Sequence, residues 1–236
     1  MPEIQKLASF IDSLQYRETT GPQVDPKKGC FPFVTISRQA GAGGHVLATL
    51  IAGKIQKLHA ERLFQNWHYD QDLFRCVSQD PALVKTLERL RDTEYHSHAE
   101  DMISQLICGG TSQDFVIKKM FHLMRAFALH GKAIFVGHGA TLLTRDLPLG
   151  IHVRLEASVE SRVKRLMRSL NLDAKKAREM VDEKDKAKAE LVKTFFSKDV
   201  RDTLHYDMLW NTDRVSIEEI SKILVEIIRD KAAGSF

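Results

Sequence analysis

One stretch near the start constrains this chain more than any other: Phe33-Val34-Thr35-Ile36-Ser37-Arg38-Gln39-Ala40-Gly41-Ala42-Gly43-Gly44-His45-Val46-Leu47-Ala48. Phe33 to Ile36 are aromatic or β-branched and predict a short buried strand. After a glycine-bearing turn, Val46, Leu47, Leu50, Ile51, Ile55 and Leu58 recur at helical spacing and predict one apolar helix face. Strand, glycine turn and helix together aim backbone N–H groups and the positive end of a helix at an anion. Three glycines in four positions remove side chains that would hold an anion off the backbone. The candidate phosphate ligands are therefore the amides of Gly41, Ala42, Gly43, Gly44 and His45. A plain tight turn is the competing reading, but a turn alone does not need Gly-x-Gly-Gly.

The loop departs from two well-known glycine motifs. A G-x-x-x-x-G-K-[ST] loop needs glycine at position 38, lysine at 44 and a hydroxyl at 45, whereas the chain has Arg38, Gly44 and His45. A dinucleotide loop needs a small third residue where Val46 stands. A nicotinamide oxidoreductase would rest on Gly41, Gly43 and Asp70 alone, and the basic segment around residues 162–188 speaks against it.

Ser37 to Gly44 resembles the S-R-Q-x-G-x-G-G segment of the cytidylate kinase-like family. These are bacterial relatives of the nucleoside monophosphate kinases, with a P-loop fold and a glycine where the lysine usually lies. The resemblance runs from about Phe33 to about Ile228. Tyr69-Asp70-Gln71-Asp72 falls where the family has Y-D-R/K-E, and Gly137-His138-Gly139-Ala140 resembles G-R-G-A with His138 in place of arginine. Arg162 and Arg165 resemble an R-x-x-R pair, Asp185-Lys186-Ala187-Lys188 a D-K-x-R motif, and Tyr206 to Thr212 the Y-D-L-x-x-N-T segment. The resemblance implies phosphoryl transfer from ATP, with Mg2+, to a nucleoside monophosphate, CMP or dCMP. It implies that Arg162, Arg165 and Lys188 balance charge in the transition state, with Arg38 as a substitute for the missing lysine. Asp70, His138 and Asp185 then fall on the acceptor side. Asp70 reads equally well as a helix N-cap, and the arginine pair as a solvated basic face. A nucleotide-binding regulator without catalysis is the second reading, motivated by Gly44, His45 and His138.

Segments at Gln65–Asp70, Lys132–Val136, Leu149–Leu155 and Tyr206–Thr212 read as four further strands, and helical patterns lie between them. The expected class is α/β: a P-loop nucleoside monophosphate kinase-like fold with about five parallel strands flanked by helices. Residues 1–30 read as an N-terminal amphipathic helix and linker, and residues 31–236 as the kinase-like domain. Within it, residues 71–131 form a helical acceptor-side insertion and 156–200 a lid region, with one charged helix over Asp173–Phe195. Ser216 and Glu219 predict a capping box. It opens a terminal helix with Ile217, Ile220, Ile223, Leu224, Ile227 and Ile228 inward.

Composition excludes other classes. With 43% apolar and 28% charged residues the chain is an ordinary globular sequence. A net charge of +4, from 35 basic and 31 acidic residues, is too small to argue for nucleic acid but suits a protein that handles anions. Cys30, Cys76 and Cys108 fit neither a disulfide framework nor a zinc site, and His96 and His98 lack the i, i+4 spacing of a metal pair. No metal-ligating residue is expected. No apolar run reaches the ~20 residues that span a bilayer, and the start has no signal-peptide core. The expectation is a cytoplasmic protein whose partners are nucleotides, not nucleic acid or a membrane. The leading helix either packs on the domain or supports a homodimer.

Overall fold

The computed structural model describes residues 31–58, 65–66, 120–121, 124–125, 127–129 and 131–233. The strands are β1 (Phe33–Arg38), β2 (Gln65–Asn66), β3 (Ala133–Val136), β4 (Gly150–Glu156) and β5 (Met208–Asn211). They form one sheet in the order β2-β3-β1-β4-β5, and every pairing is parallel. The helices are α1 (Gly44–Leu58), α2 (Ala140–Thr144), α3 (Val159–Leu170), α4 (Ala174–Phe196) and α5 (Ile217–Ala232). Residues 120–121, 124–125 and 127–129 are also helical.

Side chains alternate across a strand, so each strand feeds two cores. Val34 and Ile36 of β1 join Val153 and Leu155 of β4 against α1 and α5, where Leu47, Ile51, Ile220 and Leu224 close the layer. On the opposite face Phe33 and Phe135 pack with Met120, Phe121, Met124 and Phe127, and with Val192 and Phe196 from the end of α4. Met120 and Met124 are therefore core residues. The chain leaves β1 toward one edge of the sheet and β4 toward the other. In open α/β sheets such a reversal leaves a crevice at the carboxyl ends of the strands.

The helix caps follow the sequence. Asp173 accepts from the amide of Lys176 at the start of α4, and Ser216 and Glu219 make the reciprocal capping box of α5. Two expected inward residues point outward instead. Val46 is 55% exposed because it lies in the first turn of α1, where the buried stripe is carried by Leu47, Ala48, Ile51 and Ile55. Ile223 is 41% exposed, and Val225 takes its place beside Leu224. The expected strand at Gln65–Asp70 is described only at Gln65–Asn66. The leading helix and most of the 71–131 insertion lie outside the described residues.

Candidate phosphate-binding site

The loop between β1 and α1 sits at that crevice. The Gln39 amide continues the sheet by donating to the Leu155 carbonyl (3.0 Å), and Ala42 donates back to the Gln39 carbonyl (3.2 Å). Gly41 (φ +78°) and Gly43 (φ +96°) then take left-handed conformations. Alternating backbone hands of this kind turn successive N–H groups toward one concavity. The amides of Gly41, Gly43 and Gly44 take no acceptor among the described residues. Each glycine also has a packing cause. A Cβ on Gly41 would stand 2.7 Å from the Arg162 carbonyl oxygen, one on Gly43 2.8 Å from the Ile217 side chain, and one on Gly44 2.9 Å from Arg38. The glycine pattern thus lets α3, α5 and Arg38 close on the loop, in addition to leaving its amides bare.

Two arginines from one face of α3 grip the loop from behind. Arg162, 5% exposed, donates to the carbonyls of Ala157 (3.1 Å) and Ala40 (3.2 Å) and to Asp185 (2.5 Å). Arg165 donates to the Gly41 carbonyl (3.4 Å), the Thr212 hydroxyl (2.7 Å) and the Thr212 carbonyl (2.6 Å). Asp185 on α4 completes the clamp, because the same carboxylate accepts from the Ala40 amide at 2.6 Å. Cradle, α3 and α4 are therefore held together by one carboxylate and one buried guanidinium. Removing Asp185 would leave the buried Arg162 guanidinium without its carboxylate, at a cost of about 1–3 kcal/mol. α4 itself is anchored, with Ala177, Val181, Val192 and Phe196 all buried.

Two more cations stand at the rim. Arg38 leaves the end of β1, passes Gly44, and lays its guanidinium against Gly137, where any Cβ would collide with it. His138, itself at φ +53°, follows in that turn, so the structure brings the β3–α2 turn to the cradle. Lys188 shares the Asp185 carboxylate, with its ammonium 3.2 Å from Oδ1. Burial, then the positive charge of Arg38, push its pKa down to about 8 against the pull of Asp185. His45 is exposed at the start of α1. Asp70 lies outside the described residues.

A magnesium ion wants hard oxygen ligands facing the phosphates. The first turn of α1 offers Gly44, His45 and Val46, with no hydroxyl, and the Thr49 hydroxyl donates to the His45 carbonyl (3.0 Å). Asp185 is committed to Arg162, Lys188 and Ala40, Glu156 to Arg154, and Asp213 to the Ser158 amide. Among the described residues no group of acidic, histidine or cysteine side chains could hold a metal. The described residues around the loop do not fit a protein-held magnesium.

Two residues that support the site, Gln39 and Arg154, are not among the expected site residues. Gln39 turns its side-chain oxygen to the Ala157 amide (3.0 Å). Arg154, buried in β4, links Glu156 (2.7 Å) to Ser37 (3.1 Å). A charged residue inside the apolar run Leu149–Leu155 was the available signal for Arg154. Gln39 had none beyond its place in the loop.

Over residues 33–214 the sequence matches the profile of the cytidylate kinase-like family. Among solved structures, an uncharacterized protein from Eubacterium ventriosum ATCC 27560 superposes with a TM-score of 0.65 at 18% identity, covering 84% of this chain and 98% of that one. Shikimate kinase from Bacteroides thetaiotaomicron gives 0.44 at 15% identity, covering 84% and 98%. Shikimate kinase from Acinetobacter baumannii in complex with shikimate gives 0.42 at 13% identity, covering 85% and 94%. No curated protein matches the chain. No helix among the described residues is long and apolar enough to cross a membrane.

Proposed function

Because the chain belongs to the cytidylate kinase-like family, we propose that it transfers a phosphoryl group from ATP to a nucleoside monophosphate. CMP or dCMP is the acceptor that the family points to. The observation that carries this reading is the row of unpartnered amides at Gly41, Gly43 and Gly44, rimmed by Arg38 and Lys188. Bare N–H groups at a helix start bind phosphate oxygens, and cations fixed nearby stabilise the charge that spreads over the transferring group. In the transfer an acceptor phosphate oxygen bonds to the γ-phosphorus while the bond to the ADP oxygen breaks. Arg38 and Lys188 face that charge. Arg162 and Arg165 spend their donors on the loop, Asp185 and Thr212, so their part is to hold the cradle's shape. The resemblance assigns Asp70 and His138 to the acceptor side, and Asp185 holds the Ala40 amide of the cradle and Arg162 of α3.

The test is ADP release with ATP and a panel of nucleoside monophosphates, each set against ATP alone. Acceptor-dependent ADP is the expected result, with Arg162→Ala and Arg165→Ala lowering turnover by at least tenfold. Gly44 in the lysine position and His138 in the arginine position favour a second reading, a nucleotide-binding regulator. Silence across the panel with ATP binding retained would establish that reading instead.

A further inference from the structure

We infer that this cradle takes the phosphates of its nucleotide without a metal held by the protein, so that magnesium does not tighten binding. The inference rests on the nucleotide reading above and specifies the form in which the ligand binds. In a lysine-bearing phosphate loop, a hydroxyl at the start of the helix grips magnesium and the lysine reaches the outer phosphates. Here that turn carries His45 and Val46, and the next hydroxyl, Thr49, is turned back onto the His45 carbonyl.

The described acidic side chains around the loop, Asp185, Glu156 and Asp213, all have partners as well. Asp185 receives an amide, a guanidinium and an ammonium. Glu156 receives the Arg154 Nε at 2.7 Å. Asp213 receives the Ser158 amide at 2.7 Å and has Arg165 at 3.9 Å. The Ser37 hydroxyl lies between Arg154 and the Tyr206 hydroxyl. Recruiting Asp185 to a metal would strip the buried Arg162 guanidinium and the Ala40 loop amide of their partner, and recruiting Glu156 Oε1 would strip the buried Arg154.

What the rim offers instead is positive charge. Arg38 comes from the strand end and Lys188 from the helix above, close enough that each disfavours the other's charge. An arriving phosphate relieves that repulsion directly. A dication brought with it cancels part of the ligand's negative charge and so offsets part of that relief. The rim thus performs the charge compensation that magnesium performs elsewhere.

The experiment is calorimetric titration of the full chain with ATP, once in EDTA and once in excess magnesium. Equal affinity, or tighter binding in EDTA, is expected. Arg38→Ala and Lys188→Ala should each weaken the EDTA value by about tenfold or more while circular dichroism melts confirm the fold. Tightening by more than tenfold in magnesium, with ATP bound, would overturn the inference and leave the nucleotide reading standing. No binding in either buffer would overturn the nucleotide reading, and the inference with it.

Discussion

Lys188 is positioned so that its charge depends on the pH at which the protein works. Burial and repulsion from Arg38 hold its pKa at about 8, below the 10.5 of a free lysine, although Asp185 pulls the other way. The side chain is therefore charged below about pH 8 and increasingly neutral above it. A phosphate stabilises the charged form, so binding at or above pH 8 takes up a proton. Nucleotide affinity should be flat from pH 6 to 7 and fall by up to about tenfold per unit above pH 8. Lys188→Arg, which stays charged throughout, should move that fall out of the measurable range. Calorimetry at pH 7 and pH 9 on both proteins decides it, and an unchanged slope in the arginine variant would remove Lys188 from the phosphate site.

At the scale of elements, the loop and α1 show how differently two glycines can act. Gly41 combines φ +78° with the Arg162 backbone carbonyl 2.7 Å from where a Cβ would be. That carbonyl belongs to the first turns of α3 and cannot rotate away. Gly41→Ala should cost about 2–4 kcal/mol, from the left-handed backbone and the overpacking together, and should weaken nucleotide binding. Gly53, inside α1, has nothing within 4 Å of its Cβ position. Gly53→Ala should stabilise by about 0.5–1 kcal/mol and leave binding unchanged. Urea midpoints measure both. The contrast also explains what the sequence could show. Phe33–Ile36 and the apolar runs at 132–136 and 149–155 declare strands locally, and the i, i+3 spacing of Arg162 and Arg165 puts them on one face. Their partners are remote: Asp185 is 23 residues from Arg162, and Thr212 is 47 from Arg165. No local pattern reports such a pairing. Spacing reported only that the two arginines share a face; the resemblance put them at the phosphate, and the folded chain shows donors of both on the loop, Asp185 and Thr212. The same limit hid the packing causes of the glycines, since Ile217 and the Arg162 carbonyl reach the loop only in the folded chain.

Across the whole molecule, a column of buried polar groups ties the sheet to what lies above it. The Thr35 hydroxyl in β1 lies 2.8 Å from the Thr141 hydroxyl in α2 and 2.8 Å from His152 Nδ1 in β4. Asp207, just before β5, accepts from the His152 backbone amide at 2.7 Å. The His152 ring is 5% exposed, edge-on to Phe33. Burial pushes its pKa down to about 4, with Asp207 and Asp146 pulling it up and Lys231 and Arg145 pushing it down. In the unfolded chain it titrates near 6.5. A depressed pKa contributes stability that is fully present above pH 6.5 and is lost as the pH falls toward 4, because the unfolded chain takes up the proton first. The 2.5 units between those values correspond to about 3 kcal/mol, a large share of the 5–15 kcal/mol typical of a domain. Urea unfolding at pH 7.5, 6 and 4.5 should show the loss concentrated between the last two points. His152→Leu should flatten that segment, since Thr35 keeps Thr141 as a partner. A wild-type profile unchanged down to pH 4.5 would mean that the protonated ring finds compensation inside the fold and that the column is not its acid-sensitive point.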